Sequence, residues 1–187
     1  PDFALGRGRS GTTDRLAEIG RSFGYDVEVV PPVIADGQIV SSTLIRELIQ
    51  AGDVAAAAQL LGRPFTLPGV VVTGDQRGRT IGFPTANLAI EPDQVTPANG
   101  VYAVYARVEG QRHHAVMNIG VRPSFGLLQR TIEVHLLDFS GDLYGKPLVV
   151  DFIARLRAEQ KFPSVDALVA QIRADIESAR ALFAAQA

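Results

Sequence analysis

At 187 residues and 20.0 kDa, the chain can bury one complete core plus part of a second, and is too short for two full enzymes. A net charge of −2 and a pI near 5.9 leave no broad positive field for a nucleic-acid backbone or an acidic membrane, so neither partner is expected. The absence of cysteine excludes disulfides, thiolate metal sites and cysteine nucleophiles, and only His113, His114 and His135 remain as material for a zinc site.

The chain opens on Pro1-Asp2-Phe3, with neither an initiator Met nor the basic and apolar pattern of a signal peptide, so further sequence is expected upstream. No stretch approaches the roughly 20 apolar residues of a membrane span, and the cysteine-free composition fits a cytoplasmic location. Thr13 to Phe23 reads as a helix ended near Gly24, followed by a short strand over Val27 to Val30 that Pro31-Pro32 stops. Leu44, Ile45, Leu48 and Ile49 have helical spacing, Gly52 ends that helix, and Asp53 caps a second one running to Leu61. Gly62-Arg63-Pro64 breaks the helical pattern, which places a domain boundary near residue 62.

Beyond it the pattern turns to strands: Val70–Thr73, then Val101–Val108 and His113–Ile119 as a hairpin around Glu109-Gly110-Gln111-Arg112, then Thr131–Phe139 and Leu148–Ile153. Five or six strands in so short a span predict a mainly β fold, a small closed antiparallel barrel of about six strands with Greek-key connections, because closure removes bare edges. Ser164 then caps a last helix with an apolar stripe of Val165, Leu168, Val169, Ile172, Ile176 and Ala179. This helix is expected to pack on the barrel.

Three segments carry chemistry. Gly6-Arg7-Gly8-Arg9-Ser10-Gly11 matches GxGxxG before a helix, but the strand before it is at most Phe3-Ala4-Leu5. Glu28 falls inside its own strand and not at the carboxyl end where a ribose-binding acid belongs, so the pattern argues against a dinucleotide site. A glycine loop without a ligand and one turned to phosphate by Arg7 and Arg9 read equally from it. Ser41, Ser42 and Thr43 begin a helix and Arg46 follows a turn later, which suits either simple capping or phosphate binding. Gly74-Asp75-Gln76-Arg77-Gly78-Arg79-Thr80-Ile81-Gly82 is not a P-loop, yet glycines let the main chain approach a polyanion and Arg77 and Arg79 add charge. Just after it, Thr85 and Asn87 are two apart, so in an extended segment both side chains face one way. They offer a hydroxyl and an amide oxygen to one hard cation, with phosphates and waters completing its shell.

Gly82-Phe83-Pro84-Thr85-Ala86-Asn87 resembles the PTAN motif of riboflavin kinases, and the likeness continues. Asn118-Ile-Gly-Val-Arg-Pro-Ser-Phe125 resembles that family's NIGxRPTF, with serine for threonine. Glu133-Val-His-Leu-Leu-Asp-Phe139 with Asp142-Leu-Tyr-Gly145, and Arg157-Ala-Glu-Gln-Lys-Phe162, resemble its later motifs. Asp2-Phe3, the Gly6–Gly11 loop and Ser41–Arg46 resemble, in order and spacing, the end of the adenylyltransferase module of bacterial bifunctional FAD synthetases, whose HxGH signature does not occur here.

The resemblance implies a magnesium-dependent transfer of the ATP γ-phosphate to riboflavin, with Glu133 as catalytic base and Thr85 and Asn87 as metal ligands. Gly74, Arg79, Gly82, Leu136, Asp138 and Tyr144 then border ATP, and Phe83, Arg157, Gln160 and Phe162 the flavin. His135, on the same strand face as Glu133, is expected to make a structural hydrogen bond. Residues 1–62 become the α/β and helical remnant of a nucleotidyltransferase domain, with Arg7, Arg9, Ser41, Ser42, Thr43 and Arg46 as its phosphate-facing groups, and 63–187 the kinase domain. The intact parent is expected to adenylylate FMN to FAD as well. The rival reading is a flavin- or nucleotide-binding barrel without catalysis.

Overall fold

The computed structural model describes residues 4–35, 37–124 and 127–185, with the side chains of 4, 5, 9, 77 and 122–129 left aside. Asp2, Phe3, Phe125 and the side chains of Arg9 and Arg77, all singled out above, therefore lie outside the described set. The chain forms two compact units, Pro1–Val40 and Ser41–Ala187.

In the smaller unit, β1 (Ala4–Leu5) pairs antiparallel with β2 (Gly11–Thr12) around a 3₁₀ turn at Arg7–Arg9. The helix α1 (Thr13–Phe23) starts where the Thr12 hydroxyl accepts the Arg15 N–H, and ends at Gly24, whose φ of 75° is left-handed. Val27–Val30 is not a strand, contrary to the sequence expectation. A β-branched run becomes a strand only by sharing a ladder, and the one antiparallel pair nearby is made further on, by β3 (Ile34–Ala35) and β4 (Gln38–Ile39). Among the described residues of this unit, Gly20 alone is buried, and Phe23 and Val30 are exposed.

The larger unit begins with the expected helical pair. In α2 (Ser42–Ala51) the Ser41 hydroxyl accepts the Leu44 N–H at 3.2 Å. In α3 (Val54–Leu61) the Asp53 carboxylate accepts the Ala56 N–H at 3.0 Å. Gly52 between them needs its lack of a side chain twice over: its φ is 85°, and a Cβ there would meet the Tyr102 hydroxyl at 2.9 Å.

Six strands follow: β5 (Thr66–Val72), β6 (Ala86–Ala89), β7 (Gly100–Val108), β8 (Gln111–Ser124), β9 (Leu127–Leu136) and β10 (Pro147–Arg157). They close into a barrel in the order β10-β5-β6-β9-β8-β7, every pair antiparallel. Alternate residues point inward, so Leu67, Tyr102, Met117, Val134, Val150 and Phe152 build one apolar interior. The Tyr102 ring meets Phe152 edge-on at 5.3 Å, and its hydroxyl donates to the Ala98 carbonyl at 2.6 Å. Burial pushes the Tyr102 phenol pKa up.

Val54 of α3 joins that interior cluster, which is why packing divides the chain before α2 and not at residue 62, where the sequence changes from helix to strand. The β7–β8 connection is tighter than the sequence suggests. Glu109 and Gly110 have φ of 49° and 81°, giving a two-residue turn whose twist suits paired strands. β9 ends at Leu136 and not Phe139, because the chain turns at Asp138 with a φ of 56°.

A four-residue helix, α4 (Arg77–Thr80), stands inside the glycine-rich segment, and α5 (Val165–Ala184) completes the unit. Ala179 and Phe183 of α5 pack with Val101, Ala103, Val116 and Leu137 on the outside of the barrel. Val165, counted in the apolar stripe, is exposed, while Asp175 is the one buried charged side chain among the described residues. No helix among them is long and apolar enough to cross a membrane.

Candidate active site

One row of cross-strand partners runs round the outside of the barrel. Asn87 on β6 is opposite Glu133 on β9, Glu133 is opposite Asn118 on β8, Asn118 is opposite Val101 on β7, and Val101 is opposite Arg157 on β10. Opposed residues of an antiparallel ladder put their side chains on the same face. Their neighbours Ala86, Val134, Met117 and Tyr102 are buried in the interior, so the row faces outward. Sequence spacing could pair Thr85 with Asn87, but only strand register brings Glu133 and Asn118 beside them.

Two cavities of the larger unit share Thr85 in their walls. One, of about 580 Å³, is lined by Gln76, Arg79, Leu136, Phe139, Asp142 and Tyr144 among others. The other, of about 370 Å³, takes its walls from Phe83, Glu133, His135, Arg157, Gln160 and Phe162, together with Asn118 and Asp175. Arg79, Leu136 and Tyr144, expected beside one ligand, thus sit together, as do Phe83, Arg157, Gln160 and Phe162, expected beside the other. Gly74, Gly82, Asn87 and Asp138 line neither.

The glycine segment reaches the two candidate metal ligands through its main chain. A Cβ on Gly74 would run into the Asn87 carboxamide, and one on Gly78 into the Phe83 carbonyl, with the Thr85 hydroxyl 3.3 Å away. The loop closes on itself, the Gly78 carbonyl accepting the Phe83 N–H at 2.8 Å, and Gly82 turns with a φ of 89°. His135 secures the far side: its Nδ1 is 2.7 Å from the Pro84 carbonyl, so Nδ1 carries the proton, and the Phe83 ring meets the imidazole at 5.8 Å. This is the structural hydrogen bond expected of His135. Among the described residues no cluster of three His, Asp or Glu could hold a metal. The hydroxyl and amide oxygens of Thr85 and Asn87, each packed against the backbone of an arginine-bearing glycine loop, fit a hard cation that brings phosphate oxygens with it.

At the smaller cavity, Asp175 of α5 grips Arg157. Nε donates to both carboxylate oxygens at 2.9 and 3.1 Å, and Nη2 to one of them at 2.8 Å. The guanidinium lies 5.6 Å from the centre of the Phe162 ring. Gln171 donates to Asp175 at 2.9 Å and accepts from Gln160 at 3.4 Å, tying the 157–162 segment to α5. Glu159 turns the other way, accepting from Asn99 at 3.1 Å and from the Val121 N–H at 3.4 Å.

Asp138 pairs with Arg180 of α5, both carboxylate oxygens 2.9 Å from Nη2. The Arg180 hydrogen bond holds its carboxyl below the usual carboxylate range. The remaining candidates are exposed: Arg7 in its 3₁₀ turn in the smaller unit, and Ser41, Ser42, Thr43 and Arg46 at the start of α2 in the larger one. The Ser41 hydroxyl already caps α2, the capping alternative read from its sequence.

A closed antiparallel barrel, with two cavities meeting at one threonine beside a glycine-arginine loop, defines a β-barrel domain with room for small molecules on its flank. Residues 61–183 match the family described as Flavokinase: Riboflavin kinase, and the chain belongs to the riboflavin kinase family. It is 43% identical over 183 residues to the bifunctional riboflavin kinase/FMN adenylyltransferase of Haemophilus influenzae, covering 97% of this chain and 59% of that protein. To the protein of the same description in Pseudomonas fluorescens it is 45% identical over 187 residues, covering 100% and 60%, and to that of Escherichia coli K12 42% over 183 residues, covering 97% and 58%. The chain thus spans about three-fifths of the length of the curated relatives it matches. A crystal structure described as a macrolide-efflux protein from Streptococcus pneumoniae superposes with a TM-score of 0.86 at 39% identity, covering 96% of this chain and 58% of that one.

Proposed function

We propose that the larger unit phosphorylates riboflavin, using ATP to give FMN and ADP. The observation that carries this reading is the juxtaposition of Glu133 with Asn87 in strand register, at the wall of a cavity that shares Thr85 with its neighbour. ATP occupies the larger cavity against Arg79, Leu136 and Tyr144, its phosphates under the Gly74–Gly82 loop. Riboflavin occupies the smaller one, its ring system beside Phe162 and Arg157, with Phe83 and Gln160 completing that wall. The 5′-hydroxyl of the ribityl chain then meets the γ-phosphate near Thr85. The hydroxyl oxygen forms the new bond to phosphorus, the bond to the β–γ bridging oxygen breaks, ADP leaves, and Glu133 takes the hydroxyl proton. Thr85 and Asn87 are the residues that would hold Mg²⁺, which when bound neutralises charge on the transferring phosphoryl group. Positioning does most of the remaining work, and His135 serves it by fixing Pro84 beside Thr85.

Asp138 also borders the nucleotide in this scheme, held by its ion pair with Arg180 at the turn into the Phe139–Tyr144 wall. Residues 1–62 are the end of an adenylyltransferase module, Arg7, Arg9, Ser41, Ser42, Thr43 and Arg46 its phosphate-facing groups, and the intact parent converts FMN to FAD. The composition favours work in the reducing cytoplasm, on small molecules and without nucleic acid or membrane.

Incubating the protein with riboflavin, ATP and Mg²⁺, and separating flavins by chromatography, tests the proposal directly. FMN should appear. Flavin binding without FMN, or equal turnover by Glu133→Gln, would return the barrel to a binding role.

A further inference from the structure

Asp175 lies outside the riboflavin-kinase motifs of the sequence, on α5, a helix otherwise marked by its apolar stripe. Its carboxylate is nevertheless the one buried charge among the described residues and stands in the wall of the smaller cavity. A carboxylate taken out of water needs its oxygens satisfied, and those of Asp175 are, by three contacts from Arg157 and one from Gln171. This leaves Asp175 little capacity to bind anything else. What the pair achieves is orientation: Nε and Nη2 are turned into α5, Nη1 donates to the Ala158 carbonyl at 3.0 Å, and the guanidinium plane is fixed near the Phe162 ring. Gln171 extends the brace to Gln160, so one turn of α5 holds two wall residues of the 157–162 segment, Arg157 and Gln160.

We propose that Asp175 is a positioning residue for the phosphoryl acceptor: acting through Arg157, and seconded by Gln171, it holds the Arg157–Phe162 wall in the geometry that receives a planar heteroaromatic ring. The inference rests on the riboflavin reading of this cavity. It adds that the recognition of the ring is set from the C-terminal helix and is separate from the nucleotide side, where Asp175 lines nothing.

The test is steady-state kinetics of Asp175→Asn, which keeps the size of the side chain and removes its charge. The KM for riboflavin should rise about tenfold or more, the loss expected when a charge-assisted hydrogen bond is broken, with the KM for ATP unchanged and kcat within about threefold. A double-mutant cycle with Arg157→Lys separates positioning from bulk structure: on the Arg157→Lys background, Asp175→Asn should add little. Additive losses, or equal rises in both KM values in a folded variant, would overturn the proposal. Should Asp175→Asn fail to fold, Gln171→Met takes its place. A rise of about threefold in riboflavin KM alone supports the brace, and no change removes it. Riboflavin binding by flavin fluorescence keeps the two readings apart. A wild-type protein that binds riboflavin without turnover loses the kinase reading, while the Asp175 proposal is then judged on Kd; a wild-type protein that binds no flavin loses both.

Discussion

Gly74 and Asn87 are packed so closely that a methyl group on the glycine would overlap the asparagine carboxamide, with Oδ1 only 2.7 Å from the added carbon. The backbone of Gly74 is not in the left-handed region, so the contact alone demands glycine. Gly74→Ala should therefore leave the barrel folded while displacing a candidate metal ligand. FMN formation should fall by about 10²-fold, the scale of an ångström's misplacement at a reacting centre, with the melting temperature little changed.

Glu133→Gln keeps the shape of the side chain and removes its ability to accept a proton. The kcat for FMN formation should fall by about 10²- to 10⁴-fold, and riboflavin should still quench on binding with a similar Kd. Loss of binding in step with turnover would assign Glu133 to recognition and not to proton transfer.

The Asp138–Arg180 pair gives a pH signature. The Asp138 carboxyl is depressed in the folded protein, so its contribution to stability is present above the usual carboxylate range and is lost as pH falls through the folded value. Both groups are well exposed, so the effect is small and weakens with salt. Melting curves of wild type and Asp138→Asn should differ near neutral pH in low salt and converge in strong acid. A gap that persists in strong acid would mean that the residue acts through the turn and not through its charge.

Phe152 is fully buried in the barrel interior, between the rings of Tyr102 at 5.3 Å and Phe65 at 5.7 Å. Phe152→Ala should cost about 3–5 kcal/mol by denaturant unfolding, through lost transfer energy and the cavity left behind. Val54→Ala, a helical residue in the same interior cluster, should also lower stability. Unchanged unfolding in that variant would show that α3 is dispensable to the barrel.

The helices could be read from the sequence because their signals are local. Asp53 and Ser164 cap their own helices within three residues, and Gly24 and Gly52 end helices by adopting φ values that other residues resist. Five of the six barrel strands were also legible, since apolar alternation marks the interior face, whereas β6 carries too short a pattern to stand out and Val27–Val30 carries the pattern and is not a strand. Strand ends were not. Where β9 stops depends on Asp138 turning toward Arg180, a partner on the last helix. The site divides in the same way. Thr85 and Asn87 lie two residues apart, a spacing open to view in the sequence, although Asn87 falls within β6 and Thr85 just before it. Glu133 and Asn118 reach them only through register, and Asp175 meets Arg157 only after α5 has docked. An aspartate in an amphipathic helix ordinarily faces water, so nothing in its own neighbourhood announces that it is buried.

β10 closes the barrel by pairing with β5 on one edge and β7 on the other. The hairpin of β7 and β8 and its extension to β9 join neighbours in sequence and can form early, and β6 and then β5 can add beyond β9. The outer edges of that five-stranded sheet, β5 and β7, stay bare until residues 147–157 are available. Synthesis proceeds from the N-terminus, so nearly the whole chain must leave the ribosome before the barrel can complete, and α5 has no finished surface to dock on until then. A nascent chain stalled or cut before Pro147 exposes two unpaired strand edges at once, the condition under which intermolecular strand pairing competes with folding.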